Sequence, residues 1–143
     1  MGRSRRCTIA AVAGFAFVHR DTVRFRDVDA WGHVNNAVYL TYCEDARMAY
    51  LAGLGVLSGI EDATMILARA EIDFRSPTRV GETLENCVRT GRVGTKSFDL
   101  EYEVRAGSPL RLVAESRSVL VAYDYDKHRA MEIPATWRER LAA

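Results

Sequence analysis

Between Asn36 and Gly53 the apolar side chains recur every three to four residues: Tyr39, Tyr42, Cys43, Ala46, Ala49, Tyr50 and Gly53 share one helical face. On both sides of this run the recurrence drops to every second residue. Val23 and Phe25 alternate with Thr22, Arg24 and Arg26, so residues 15–26 read as a half-buried strand. After the helix come four further strand-like segments, Thr64–Ser76, Thr83–Arg92, Lys96–Arg105 and Arg111–Asp124. The links between those four are short and contain Gly or Pro, which predicts antiparallel neighbours. A last short helix is expected after Pro134.

One long helix among five strands constrains the architecture. A helix over residues 36–52 is about 25 Å long, and five strands make a sheet about 24 Å wide. The expected fold is therefore α+β, with a curved antiparallel five-stranded sheet wrapped around one central helix. Leu40, Glu44, Arg47 and Leu51 form a second stripe on that helix, as expected if it is covered on more than one side. Such a layer leaves one sheet face and an edge uncovered, which predicts a homodimer or homotetramer.

Several classes are disfavoured. The 20 basic and 19 acidic residues are interleaved and sum to +1, unlike the basic face of a nucleic-acid binder. Cys7, Cys43 and Cys87 are odd in number and lack C-x-x-C spacing, so neither a disulfide framework nor a zinc site is expected, and reduced thiols in the cytoplasm are the simple reading. Arg3, Arg5 and Arg6 before an apolar run resemble a signal peptide. The run is shorter than the ~20 residues of a membrane span and leads straight into the first strand. Residues 1–14 are read as a flexible extension and 15–143 as one domain. Gly53–Gly59 has the wrong spacing, and the wrong preceding element, for a nucleotide loop.

Polar chemistry concentrates between the first strand and the helix, at Asp27, Asp29, His33, Asn35 and Asn36. Residues 27–35 read as a loop, with Asn35 or Asn36 as helix N-cap. A helix start carries unpaired N–H groups and partial positive charge, able to hold a carbonyl oxygen as it becomes an oxyanion. A nearby carboxylate can serve as general base or as nucleophile. Caps alone account for part of this pattern, but two Asp, one His and two Asn exceed what one cap requires. Cys43 lies on the apolar helix face and reads as core.

The string from Val23 to Arg47, VRFRDVDAWGHVNNAVYLTYCEDAR, resembles the signature of hotdog-fold acyl-CoA thioesterases, closest to the 4-hydroxybenzoyl-CoA thioesterase-like group. Its Asp-x-x-x-His-Val-Asn-Asn portion is also similar to plant acyl-ACP thioesterases. The likeness continues through Phe74-Arg-Ser-Pro77, Gly81-Glu82 and Lys96-Ser-Phe98. It implies Asp29 as the catalytic carboxylate and the Asn36 backbone N–H as donor to the thioester carbonyl. His33 matches the histidine of the acyl-ACP enzymes, whereas Trp31 stands where they carry a catalytic Asn. Asp27 and Asn35 fit loop-shaping roles. Glu44 faces the acyl cavity or pairs with Arg47 at i+3. The resemblance further implies that Arg92, Lys96 and Ser97 meet the CoA phosphates, often across a subunit interface.

These observations predict an acyl-CoA thioester hydrolase whose active site is shared between two subunits, without metal or redox cofactor and without nucleic-acid or membrane partners. An acyl-ACP thioesterase of a fatty-acid or polyketide pathway and a non-catalytic acyl-CoA-binding protein are the alternatives.

Overall fold

The computed structural model describes residues 14–59, 61 and 64–143. The readings of residues 1–13, Cys7 among them, lie outside the described residues. The elements follow in chain order: β1 (Phe17–Thr22), a 3-10 turn (Phe25–Asp27), α1 (Val38–Gly53), β2 (Met65–Phe74), β3 (Thr83–Val93), β4 (Ser97–Ala106), β5 (Arg111–Asp124), β6 (Arg129–Ala130) and α2 (Ala135–Ala142).

The strands form one antiparallel sheet in the order β1-β3-β4-β5-β2, with β6 paired to the end of β5. This is the hotdog architecture expected, with a sixth strand added. β6 is two residues long, too short to show a periodic pattern. The first strand is also shorter than its alternation suggested. Its ladder to β3 ends at Thr22–Thr83, after which Val23 bonds the carbonyl of Glu82 and Phe25 enters the 3-10 turn, 84% exposed.

α1 is 16 residues, about 24 Å long. Its inward face carries Tyr39, Tyr42, Cys43, Ala46, Arg47 and Leu51, all buried. They meet the inward side of the sheet, where Leu84, Val88, Phe98, Leu100, Val104 and Ala122 are at most 1% exposed. Burying each large apolar side chain contributes about 1.5–3 kcal/mol. Gly55, at φ +72°, turns the chain away from the helix, and the Arg140 guanidinium of α2 donates to its carbonyl. The Cys43 thiol is pushed up to about 11 by burial, which makes it an inert core residue.

α1 packs on the β1 and β3 side. The inward side of β2 is left uncovered: Leu67, opposite the core residue Leu120, is 44% exposed, and Phe74 is 45% exposed. The outward face of the sheet carries cross-strand ion pairs instead, such as Arg117–Asp99 and Arg89–Glu101, both at 2.6 Å. Among the described residues, no helix is long and apolar enough to cross a membrane.

Candidate active site

The segment read as a loop is a small hairpin. Val28 and Val34 form a β-bridge, the Asp29 N–H donates to the His33 carbonyl at 2.8 Å, and the Asn35 N–H donates to the Asp27 carbonyl at 2.8 Å. Val34 is buried and its N–H donates to the Thr78 carbonyl, which pins the hairpin to the body of the protein. Asp29 and His33 therefore sit opposite each other, across a tip made by Ala30, Trp31 and Gly32. Gly32 supplies the left-handed φ of +77° that the tip requires. The alternation Asp27-Val28-Asp29 and His33-Val34-Asn35 is the sequence signal for this hairpin, hidden beneath the polar composition.

Two further contacts set the approach to α1. Asp29 Oδ1 accepts the Trp31 N–H at 2.9 Å, and Asn35 Oδ1 accepts the Ala37 N–H at 2.9 Å. The N-cap position falls on Ala37, two residues beyond Asn35, and Ala37 has no side chain to cap with. Asn35 satisfies one orphan N–H from outside the helix instead. The Asn36 N–H donates to no acceptor among the described residues.

Asp29, His33 and Asn36 share the wall of one cavity of about 330 Å³ with Trp31, Tyr39, Phe74 and Pro77. The rest of its lining is mixed, with Val34, Arg75 and Ser76 beside the aromatic rings. The Tyr39 and Phe74 rings are tilted at 5.5 Å, and the Tyr39 hydroxyl is 2.7 Å from Thr78 Oγ1. Burial raises the Tyr39 pKa, so it stays a neutral phenol. Trp31 is 81% exposed beside the carboxylate it bonds. Tyr39 and Pro77 are wall residues that lie in the segments carrying the resemblance, yet neither reads there as a site residue. Their signals, a core-type helix position and a strand-ending proline, say nothing of a site.

Asp27 lies behind this wall. Its Oδ2 accepts the Arg24 N–H at 2.9 Å and the Tyr42 hydroxyl at 2.7 Å. Partial burial pulls its pKa up, but the Arg24 N–H, the Tyr42 hydroxyl and the charges of Arg26 and Arg24 together hold it below the usual carboxylate range.

The remaining sequence-selected residues lie elsewhere. Glu44 is exposed and borders a separate cavity of about 1200 Å³ between α1, β2 and the end of β5. Its expected ion pair with Arg47 is not formed, because Arg47 turns into the core and is 8% exposed. Arg92, Lys96 and Ser97 sit at the β3–β4 hairpin. β4 runs from Ser97 to Ala106, about 30 Å, and the Asp29 hairpin lies at the Ala106 end, against Val23, Leu84 and Val104. One chain therefore does not bring these basic residues to Asp29. Lys96 instead shares a cavity of about 360 Å³ with Lys127 of the β5–β6 turn and Arg129 of β6, two cations the motif reading passed over, and with the acids Asp124 and Glu132.

Comparison with known proteins gives a consistent picture. A model of the thioesterase-like superfamily matches residues 23–141. The uncharacterized protein YsmA of Bacillus subtilis is 31% identical over 88 residues, which are 62% of this chain and 60% of that protein. The 1,4-dihydroxy-2-naphthoyl-CoA hydrolase of Synechococcus elongatus is 32% identical over 87 residues, 57% of this chain and 64% of that protein. The matches thus span about six-tenths of the length of these curated relatives. A crystal structure of a thioesterase from Thermus thermophilus, complexed with coenzyme A and Zn, is 36% identical with a TM-score of 0.80, covering 91% of this chain and 100% of that one.

Proposed function

Because the chain belongs to the thioesterase-like superfamily, we propose that it hydrolyses acyl-CoA thioesters to a free carboxylic acid and CoA. The observation that carries this reading is that Asp29 and Asn36, whose N–H has no acceptor among the described residues, line one cavity.

The substrate's thioester carbonyl oxygen points at the Asn36 N–H, close to the start of α1. There the helix dipole and the donor stabilise the oxyanion formed on attack. Asp29 acts on the carbonyl carbon in one of two ways. It takes a proton from the attacking water, or it attacks directly to give a mixed anhydride that water then cleaves. In both routes the C–S bond breaks, the sulfur leaves as CoA thiolate and is protonated, and the acid is released. His33, opposite Asp29 in the hairpin, is a secondary participant. No step calls for a metal or redox cofactor.

The substrate's nucleotide end is met by a second copy of the chain. Lys96 and Ser97, with Arg92, Lys127 and Arg129, lie at the far end of the sheet from Asp29. The uncovered strand β2 runs between the two ends. Antiparallel pairing of β2 with its symmetry mate turns the partner's far end toward the Asp29 end. The phosphates of CoA then reach cations that no single chain offers there. A homodimer is the minimal assembly, and a homotetramer of two such dimers retains the same sites.

Purified protein offered a panel of acyl-CoAs and acyl-ACPs, with free thiol detected, tests the reading. Thiol release from CoA esters that Asp29→Ala abolishes and a chelator leaves unchanged is the expected result. Release from acyl-ACP alone would move the substrate to the carrier protein. No release from any member would leave a binding protein.

A further inference from the structure

Arg47 is the one residue of α1 whose charge is buried with the core. It is 8% exposed, and among the described residues no carboxylate pairs with it. On the sheet the buried Tyr102 hydroxyl lies close to the guanidinium and to the Ser118 hydroxyl, with no hydrogen bond of good geometry to either. A buried guanidinium has five N–H donors to satisfy, and leaving them unmet is costly. What little of Arg47 is accessible opens into the cavity of about 1200 Å³, against an apolar wall of Met48, Met65 and Leu67.

This cavity and the one at Asp29 are both bounded by α1 and β2, one at each end of the gap between them. Asn36, Tyr39 and Phe74 line the first, and Met48, Met65 and Leu67 line the second. An acyl chain whose carbonyl rests on the Asn36 N–H would run along α1 toward the second cavity. Arg47 is eleven residues further along the helix, about 16 Å away, the reach of roughly a dozen extended bonds.

The charges at the cavity mouth decide what kind of group Arg47 receives. Glu44, Asp45 and Asp124 all border it. Their field offsets the guanidinium charge at longer range and repels an anionic ligand. A neutral oxygen can accept from the guanidinium N–H groups without entering against the carboxylates.

We infer that Arg47 is a specificity residue, whose guanidinium donates to a hydroxyl or keto oxygen carried near the far end of the substrate's acyl chain. The inference rests on the thioesterase reading and deepens it, from acyl-CoA in general to oxygenated acyl chains.

The test compares 12-hydroxydodecanoyl-CoA with dodecanoyl-CoA on the wild-type protein, Arg47→Met and Arg47→Lys. The wild type is expected to favour the hydroxylated ester by about tenfold in kcat/KM, mostly through KM, the worth of one charge-assisted hydrogen bond. Arg47→Met is expected to lose or invert that preference, and Arg47→Lys to keep part of it. Independently of any variant, 12-hydroxydodecanoate should inhibit the wild type more strongly than dodecanoate does. Equal treatment of the two esters by an active wild type overturns the inference and leaves the thioesterase reading standing. So does an Arg47→Met protein that keeps the preference while its dimer weakens, which would give Arg47 to the subunit interface. Absence of thiol release from every ester overturns both readings.

Discussion

The Tyr42 hydroxyl donates to Asp27 Oδ2 at 2.7 Å, linking the second turn of α1 to the hairpin that carries Asp29. The same oxygen accepts the Arg24 N–H, so one carboxylate holds the strand end and the helix at once. Removing the hydroxyl in Tyr42→Phe deletes a hydrogen bond to a charged acceptor and is expected to lower stability by about 1–2 kcal/mol, measured by urea denaturation. The pH dependence has a definite sign. The folded-state pKa of Asp27 is held below its unfolded value, so its contribution is present above pH ~4 and fades as pH falls through the folded pKa. The gap between wild type and Tyr42→Phe should accordingly narrow on acidification below that point. A gap that widened in acid would contradict this account of Asp27.

Asp29→Asn separates chemistry from architecture. Asn keeps an acceptor for the Trp31 N–H, so the hairpin tip is expected to stand and the melting temperature to stay near that of the wild type. It has neither the charge to take a proton from water nor the nucleophilicity to attack the thioester. The expected outcome is a fall in kcat of about a hundredfold or more with KM little changed. His33→Ala should lose less. Comparable losses for the two variants would promote His33 to equal partner.

Much of the fold was legible because its signals are periodic. α1 starts and stops within two residues of the helix expected from its apolar spacing, and the bounds expected for β5, Arg111–Asp124, are those observed. What escaped was local or long-range. Phe25 continues a two-residue alternation, yet it is exposed because hydrogen bonding past Thr22 is taken over by the turn at Gly81–Glu82, a tertiary fact. The i+3 spacing of Glu44 and Arg47 suits an ion pair, but spacing cannot report that Arg47 is on the buried face. Asp29, His33 and Asn36 were legible as a cluster. The aromatic wall of Tyr39 and Phe74 was not, because a residue 35 positions away in sequence joins it only after β2 returns along the helix.

Asp21 shows the opposite pH behaviour to Asp27. Burial raises its pKa most, and nearby Asp45 adds to the rise, against the opposing influence of His19, Asn86 and Arg24. Its carboxylate accepts the Asn86 side-chain N–H at 2.6 Å, while the buried Asn86 Oδ1 has no partner among the described residues. A folded pKa above the unfolded one means that the stabilising contribution is present below pH ~4 and is lost as pH rises through the folded value. Asp21→Asn keeps an acceptor for Asn86 without the buried charge. It should raise the melting temperature at pH 7, with the advantage shrinking toward pH 4. A lower melting temperature at neutral pH would show that the charge is needed by His19 or Arg24.

Whether a site is built by one chain or two can be decided by mixing defects. Lys127→Gln with Arg129→Gln should raise KM for acyl-CoA, leave KM for an acyl-pantetheine lacking the nucleotide unchanged, and weaken the salt dependence of the CoA reaction. Asp29→Asn is expected to fail for a different reason. If Asp29 of one subunit works with Lys127 and Arg129 of its partner, a mixed dimer of these two variants contains one site with both defects and one with neither. Random exchange makes half of all dimers mixed, so at low acyl-CoA concentration activity should recover toward about a quarter of wild type. If each chain instead completed its own site, every site in the mixture would carry one defect. Activity would then stay at the average of the two variants. The outcome separates the shared site from a self-contained one without reference to which acyl group is natural.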